Sequence, residues 1–294
     1  MSIREPVVAG SFYPGQAESC RRELAACVPD SLPAEVDDRK LVGGVVPHAG
    51  WMFSGAVAGK VLAALARQGR CSTYVLFGAA HRSLAGPNAL FATGVWRTPL
   101  GDVSVDGDLA HELMNACPDI VADEEAHRLE HSLEVQLPFI QHVAPEARFV
   151  PIMVLPSSRA AELGRQIGEA VAGIRQDVTF VGSSDLTHYG PRYGFQPAGT
   201  GEKGLEWSRN VNDRRMIDCL VSMRAEEIVG EAATNHNACG AGALAATVAA
   251  CRACGAKRGI LLDYRTSADV EPSRGLLDRA VCEDMVGYAG VVFA

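Results

Sequence analysis

The 294-residue chain is 48% hydrophobic and 21% charged, ordinary globular values for a chain that needs neither disulfides nor a metal merely to fold. Its 35 acidic residues outnumber 27 basic ones, and the basic residues are scattered with no stripe interleaved with aromatics, which argues against a nucleic-acid partner. Nine dispersed cysteines, an odd number, read as reduced thiols. The start of the chain lacks a basic stretch followed by an apolar one, and the longest apolar run, Ala241–Cys251, is too short to span a bilayer. The expectation is therefore a cytoplasmic protein with no membrane partner.

In chain order, the pattern predicts a helix within 11–28, a strand at 41–46, a helix over 54–68 and a strand at 73–78. Helices follow at 106–117 and from Ser132 to Val143, the latter with Leu133, Leu137 and Ile140 at helical spacing. A strand at 149–155 comes next, then a helix from Ser157 to Ile174 with Ser157 as its cap. After these come a strand at 178–182, a helix over 202–221, a helix over 239–254, and strands at 259–264 and 287–293. Strands alternating with helices indicate an α/β fold, with a central, mostly parallel sheet flanked by helices in one domain spanning 1–294. The helix from Cys239 is rich in Ala and Gly. It is expected to pack closely on the sheet and to bring Cys239 near the strand ends.

Three strands run into histidines. The strand at 41–46 leads into Pro47-His48-Ala49-Gly50, that at 73–78 into Ala79-Ala80-His81, and that at 178–182 into Ser183-Ser184-Asp185-Leu186-Thr187-His188. The C-terminal ends of parallel strands line the ligand crevice of such sheets, so the three imidazoles are expected near one another. A histidine satisfied by one hydrogen bond at a strand end is the plain alternative for each, and Arg82 beside His81 would suit an exposed loop. Asp185 and His188 admit two chemical readings. Either Asp185 orients His188 beside a serine nucleophile, or His188 serves as acid/base near a metal with Asp185 supporting it. The serine reading lacks a Gly-x-Ser-x-Gly turn. A third reading has the serines and Asp185 only capping a helix. Cys239 is either a donor whose thiolate is favoured at a helix N-terminus or a small buried residue. Cys251 and Cys254 resemble half a zinc knuckle but read as helix packing. His127-Arg128-Leu129-Glu130-His131 matches H-x-x-E-H, a peptidase pattern that works only inside a helix. Here it would precede the helix. His131, Glu134 and Gln136 are placed to reach the crevice from that loop.

Six ordered segments bear a resemblance. Ala9-Gly10-Ser11-Phe12-Tyr13-Pro14, Pro47-His48-Ala49-Gly50-Trp51 with Ser54-Gly55, and Gly78-Ala79-Ala80-His81 come first. Glu130-His131-Ser132-Leu133-Glu134-Val135-Gln136-Leu137-Pro138-Phe139, Ser183-Ser184-Asp185-Leu186-Thr187-His188-Tyr189-Gly190 and Asn237-Ala238-Cys239-Gly240 follow. Together, almost end to end, they resemble the Memo family, also called AmmeMemoRadiSam system protein B. That family is similar in fold to the LigB-like class III extradiol dioxygenases. The resemblance implies metal ligands at His48, His81 and Cys239. It places His188 as acid/base, with Asp185 and His131 as further catalytic candidates. It also implies Fe(II), with Cu or Zn as alternatives, and AMMECR-type and radical SAM proteins as partners. Ala79-Ala80 and Trp51 depart from the family's Pro-Ser and Tyr at the pocket rim. The thiolate departs from the two-histidine, one-carboxylate set of the ring-cleaving enzymes. The function expected is a metal-dependent redox enzyme acting on a small molecule or a modified protein residue. The alternative is a metal-holding or peptide-binding module without turnover.

Overall fold

The computed structural model describes residues 2–36, 39–67, 69, 71–81, 88–175, 177–270 and 283–294; Gln68 and Arg82, invoked above, lie outside these. The strands are β1 (Ile3–Arg4), β2 (Gly43–Val46), β3 (Thr73–Ala79), β4 (Asn88–Leu90), β5 (Val95–Thr98), β6 (Gly101–Ser104), β7 (Ile120–Ala122), β8 (Arg148–Val154), β9 (Val178–Ser183), β10 (His188–Tyr189), β11 (Gly259–Thr266) and β12 (Met285–Phe293). The helices are α1 (Ala17–Cys27), α2 (Trp51–Ala66), α3 (Gly107–Ala116), α4 (Glu124–His127), α5 (Leu137–Val143), α6 (Ala160–Ile174), α7 (Glu202–Trp207), α8 (Asp213–Val221), α9 (Ala225–Asn235) and α10 (Ala241–Ala253).

The large sheet runs β10-β12-β2-β9-β3-β8-β4-β7, with β11 also paired to β12. Its centre, β2-β9-β3-β8, is parallel, whereas β12 joins β2 and β4 joins β8 antiparallel, so the sheet is mixed and parallel only at its heart. Alternation along each central strand divides the core. Val75, Phe77, Ile152 and Phe180 face α6 and α10, while Tyr74, Leu76, Phe149 and Val181 face the side of α1, α2 and α5. Because both faces are covered, these strands read as continuous apolar runs with no polar alternation. Three short strands, β1-β5-β6, form a separate sheet.

The alanine-rich α10 lies against α6 because Gly164 and Gly168 leave room for it. A Cβ on either glycine would overlap the α10 backbone at Ala246 or Ala250. Cys251 is buried with its sulfur against Gly43 of β2, and the Cys254 thiol donates to the Gly168 carbonyl, so the Cys251/Cys254 pair is helix packing as expected. No helix among the described residues is long and apolar enough to cross a membrane.

Four local expectations are corrected. The helix expected from Ser132 is a 3-10 turn over Glu134–Gln136 followed by α5, because the Ser132 hydroxyl accepts the Ala79 amide and so does not cap a helix. Helix α6 begins at Ala160 without a side-chain cap, not at Ser157. The run over 202–221 is interrupted by a π turn, Ser208–Asn212. The helix expected from Cys239 starts at Ala241, leaving Cys239 ahead of its cap, Gly240.

Candidate metal centre

Strand β9 lies between β2 and β3, with Val46 level with Ser183 and Phe77 level with Gly182. The segments that leave these three strands therefore emerge side by side. His48 and His81 come from β2 and β3, and the Ser183–His188 segment comes from β9. The loop before α10 closes over the same edge. The Cys239 amide donates to the Asp185 carbonyl, the Gly240 amide donates to Ser184 Oγ, and a Cβ on Gly240 would overlap the Ser183 carbonyl oxygen. The segment after α4 is stitched on by Ser132, whose carbonyl accepts the Ser183 hydroxyl.

Potential ligand atoms of His48, His81 and His131 lie within 4.8 Å of one another. The His81 and His131 rings are stacked, with centroids 4.8 Å apart, and the His48 ring stands edge-on to both. Cys239 Sγ lies 3.2 Å from His48 Nε2.

The hydrogen bonds fix which nitrogen each imidazole offers. The hydroxyl proton of Ser183 is committed to the Ser132 carbonyl, so Ser183 Oγ accepts at 3.0 Å from His48 Nδ1–H. His48 Nε2 is left with its lone pair towards the cluster. The same hydroxyl accepts from Gln136 Nε2, which also donates to the Pro47 carbonyl and braces the His48 turn from below. His81 Nδ1 lies 3.0 and 3.1 Å from the two oxygens of Glu130, so its Nε2 faces the cluster too. A carboxylate behind a histidine is the usual way of orienting a metal-ligating imidazole and raising its basicity.

Electrostatics separate the four histidines. His48 is buried and stays neutral: burial pushes its pKa well below the ordinary value, and the neighbouring His81 and His131 add to the effect. Burial likewise lowers His131 and His188. Burial would also lower His81, but bonds to Cys239 and Glu130 outweigh it and raise His81 to about 10. Burial would raise Glu130, yet His81 holds it well below the usual carboxylate range. Burial pushes the Cys239 thiol up, against the stabilising proximity of His81.

Two neutral imidazole edges, a thiol and a carboxylate-backed histidine converging on one space fit a metal ion. Binding there would be coupled to release of the Cys239 proton and of the His81 Nε2 proton.

Asp185 does not orient His188. Its Oδ1 accepts the backbone amides of His48 at 2.7 Å and Ala49 at 3.2 Å, and burial raises its carboxyl to about 7. The chain turns at Ser184 and sends this side chain towards β2, while His188 Nδ1 donates to the Leu186 carbonyl. Asp185 therefore secures the His48 turn with its side chain and the Cys239 loop with its carbonyl. A serine-nucleophile triad is ruled out by the same contacts. The peptidase pattern fails as well: His127 is buried among Trp96 and Phe91, donates to the Ala89 carbonyl and faces away from the cluster.

Glu134 also stays out of the crevice. It is fully buried, accepting from Arg4, the Val7 and Val8 amides and the Tyr13 hydroxyl, and so ties the N-terminal arm in place. That arm sets Phe12 edge-on against His131. The roles of Glu130 and Ser183 in fixing the imidazoles had no local sequence signature, because both act across more than 40 residues.

A family model described as Memo-like protein matches residues 4–292. The MEMO1 family protein of Thermococcus kodakarensis is 38% identical over 302 residues, covering 99% of each chain. That of Thermococcus onnurineus is 36% identical over 298 residues, again 99% of each. That of Methanopyrus kandleri is 36% identical over 301 residues, 99% of this chain and 98% of its own. Among solved structures, an uncharacterized protein from Escherichia coli K12 shares the fold with a TM-score of 0.50 and 14% identity, over 79% of this chain and 91% of its own. The full-length match and the converging histidines agree: this chain belongs to the Memo family.

Proposed function

We propose that the chain holds one metal ion between His48 Nε2, His81 Nε2 and Cys239 Sγ, and works as a metal-dependent redox enzyme on a small molecule or a modified protein residue. The observation that carries this is the pair of committed Nδ1 protons. With Ser183 and Glu130 taking them, both imidazoles turn their second nitrogen towards the space beside the Cys239 sulfur. Three donors of mixed softness suit Fe(II), and also Cu(I) or Zn. When bound, a redox-active ion of this kind would supply electron transfer and an open position for a substrate.

The chain's own residues handle protons. His188 has its Nδ1 proton fixed on the Leu186 carbonyl, and burial keeps it neutral near pH 7, so its Nε2 is free to accept a proton. His131, also neutral, stands between Phe12 and His81 as a second acid/base candidate. Asp185 acts by holding two of the donor segments in register.

The close grouping of His131 with His48 and His81 favours a second reading, in which three histidines hold the ion and the chain carries it without turnover. Both readings meet one experiment: anaerobic loading with Fe(II), followed by elemental analysis, spectroscopy and exposure to oxygen. On the first reading Cys239→Ser loses the metal, His131→Ala keeps it, and His188→Ala keeps it but loses the reaction with oxygen. On the second, His131→Ala loses it and neither Cys239→Ser nor His188→Ala has an effect. If the wild-type chain takes up no metal, both readings fall.

A further inference from the structure

The helical stretch from α7 to α8 widens at the π turn Ser208–Asn212. Isolated π turns are uncommon and tend to occur where a helix must present a residue out of its ordinary phase. Here the consequence is two consecutive side chains, Asn212 and Asp213, that are both fully buried.

What they hold is specific. Asp213 Oδ1 accepts the Thr187 amide at 2.9 Å, and its Oδ2 accepts the Tyr264 hydroxyl at 2.6 Å. Asn212 Nδ2 donates to Thr187 Oγ1 and to the Asn235 carbonyl. The Asn212 carbonyl accepts from Asn237 Nδ2, which also donates to Glu231 Oε1. Thr187 immediately precedes His188, and Asn237 lies two residues before Cys239. One helical irregularity therefore grips, from behind, the segments that carry the thiol and the distal histidine. No residue of this layer touches the cluster itself among the contacts described above.

We infer that Asn212 and Asp213 are positioning residues whose π turn couples the placement of the His188 segment to that of the Cys239 loop. The inference rests on the reading that His188 and Cys239 serve one site. Removing a hydrogen bond on the His188 side should then loosen Cys239, although no covalent or direct contact joins the altered group to the thiol.

The test uses the full-length, metal-free chain under anaerobic conditions with iodoacetamide as probe. Alkylation of the Cys239 peptide is followed by mass spectrometry, and Cys27, on α1 across the sheet, is the reference in the same sample. Asn237→Asp keeps the shape but removes both amide hydrogens. Asp213→Asn alters the bonds to the Thr187 amide and the Tyr264 hydroxyl and leaves the Asn237 bonds in place. Each is expected to raise Cys239 alkylation about tenfold relative to Cys27, the change that matches loss of one buried hydrogen bond. Glu231→Gln added to Asn237→Asp restores only the bond between those two side chains and not the one to the Asn212 carbonyl, so the rate should stay raised. Should Asp213→Asn fail to fold, Thr187→Val removes only the hydroxyl that meets Asn212 and serves the same comparison. If Asn237→Asp changes Cys239 but the His188-side variants leave the Cys239/Cys27 ratio unchanged, the coupling is overturned; if none changes it, positioning is overturned as well. A parallel Co(II) titration of the wild-type chain keeps the outcomes apart. Absence of Co(II) binding counts against the metal reading, while the alkylation ratios still decide the coupling.

Discussion

Glu130 grips His81 twice: its carboxylate meets the ring Nδ1 at 3.0 and 3.1 Å and the backbone amide at 3.3 Å. The same carboxylate accepts the amides of His131 and Ser132. One buried charge thus sets the tautomer of one histidine and the backbone position of the next.

Replacing Glu130 with Gln keeps the size but removes the charge behind His81. Metal affinity is expected to fall about 10- to 100-fold, the usual cost of losing the group that orients a metal-bound histidine. Competition against a chromogenic chelator measures it. An unchanged affinity would mean that His81 is not a ligand.

Asp185→Ala removes the acceptor of two buried amides, those of His48 and Ala49. A stability loss of about 1–3 kcal/mol is expected. The NMR titration of His188 should be unaltered, since that ring is held by Leu186 and not by Asp185. A shifted His188 titration would restore the orienting role that the sequence suggested.

His127 gives the fold a dependence on acid. Burial lowers its pKa from 6.5 to about 4, so the folded chain holds it neutral. The unfolded chain takes up a proton as pH falls below 6.5, and the folded chain does so only near 4. The stabilisation is complete above pH 6.5 and is lost as pH falls towards 4, amounting to about 3 kcal/mol over that window. His127→Gln, whose amide can still donate to the Ala89 carbonyl, should flatten that part of the curve in denaturant melts across pH 4–7. A curve parallel to wild type would refute the assignment.

The N-terminal arm depends on a buried pair. Arg4 meets Glu134 at 2.7 Å, covers the Trp96 ring and donates to the carbonyls of His127 and Glu130. Arg4→Met leaves the Glu134 charge uncompensated in the interior, and about 3–5 kcal/mol of stability should go with it. The double variant Arg4→Met/Glu134→Gln should recover part of that loss. If Arg4→Met alone is neutral by chemical denaturation, the pair does not carry the arm.

The sequence by itself determined the class of fold and the raw materials of the site. The runs of β-formers at 73–78 and 178–182 read as strands, and their largely apolar character is that of strands covered on both faces. His48, His81 and His188 were legible because each follows such a strand, and parallel strands bring their exits to one edge. Pairing decisions were not legible. The antiparallel docking of β12 and β4 and the turn of the Asp185 side chain towards His48 each depend on partners more than 50 residues away. The difference has a physical cause. Periodicity records whether a side chain is buried, a property each segment carries alone. Which nitrogen a histidine offers, and what holds Cys239 beside it, is settled by hydrogen bonds from Ser183, Glu130 and Asp185, and those exist only after the sheet has assembled.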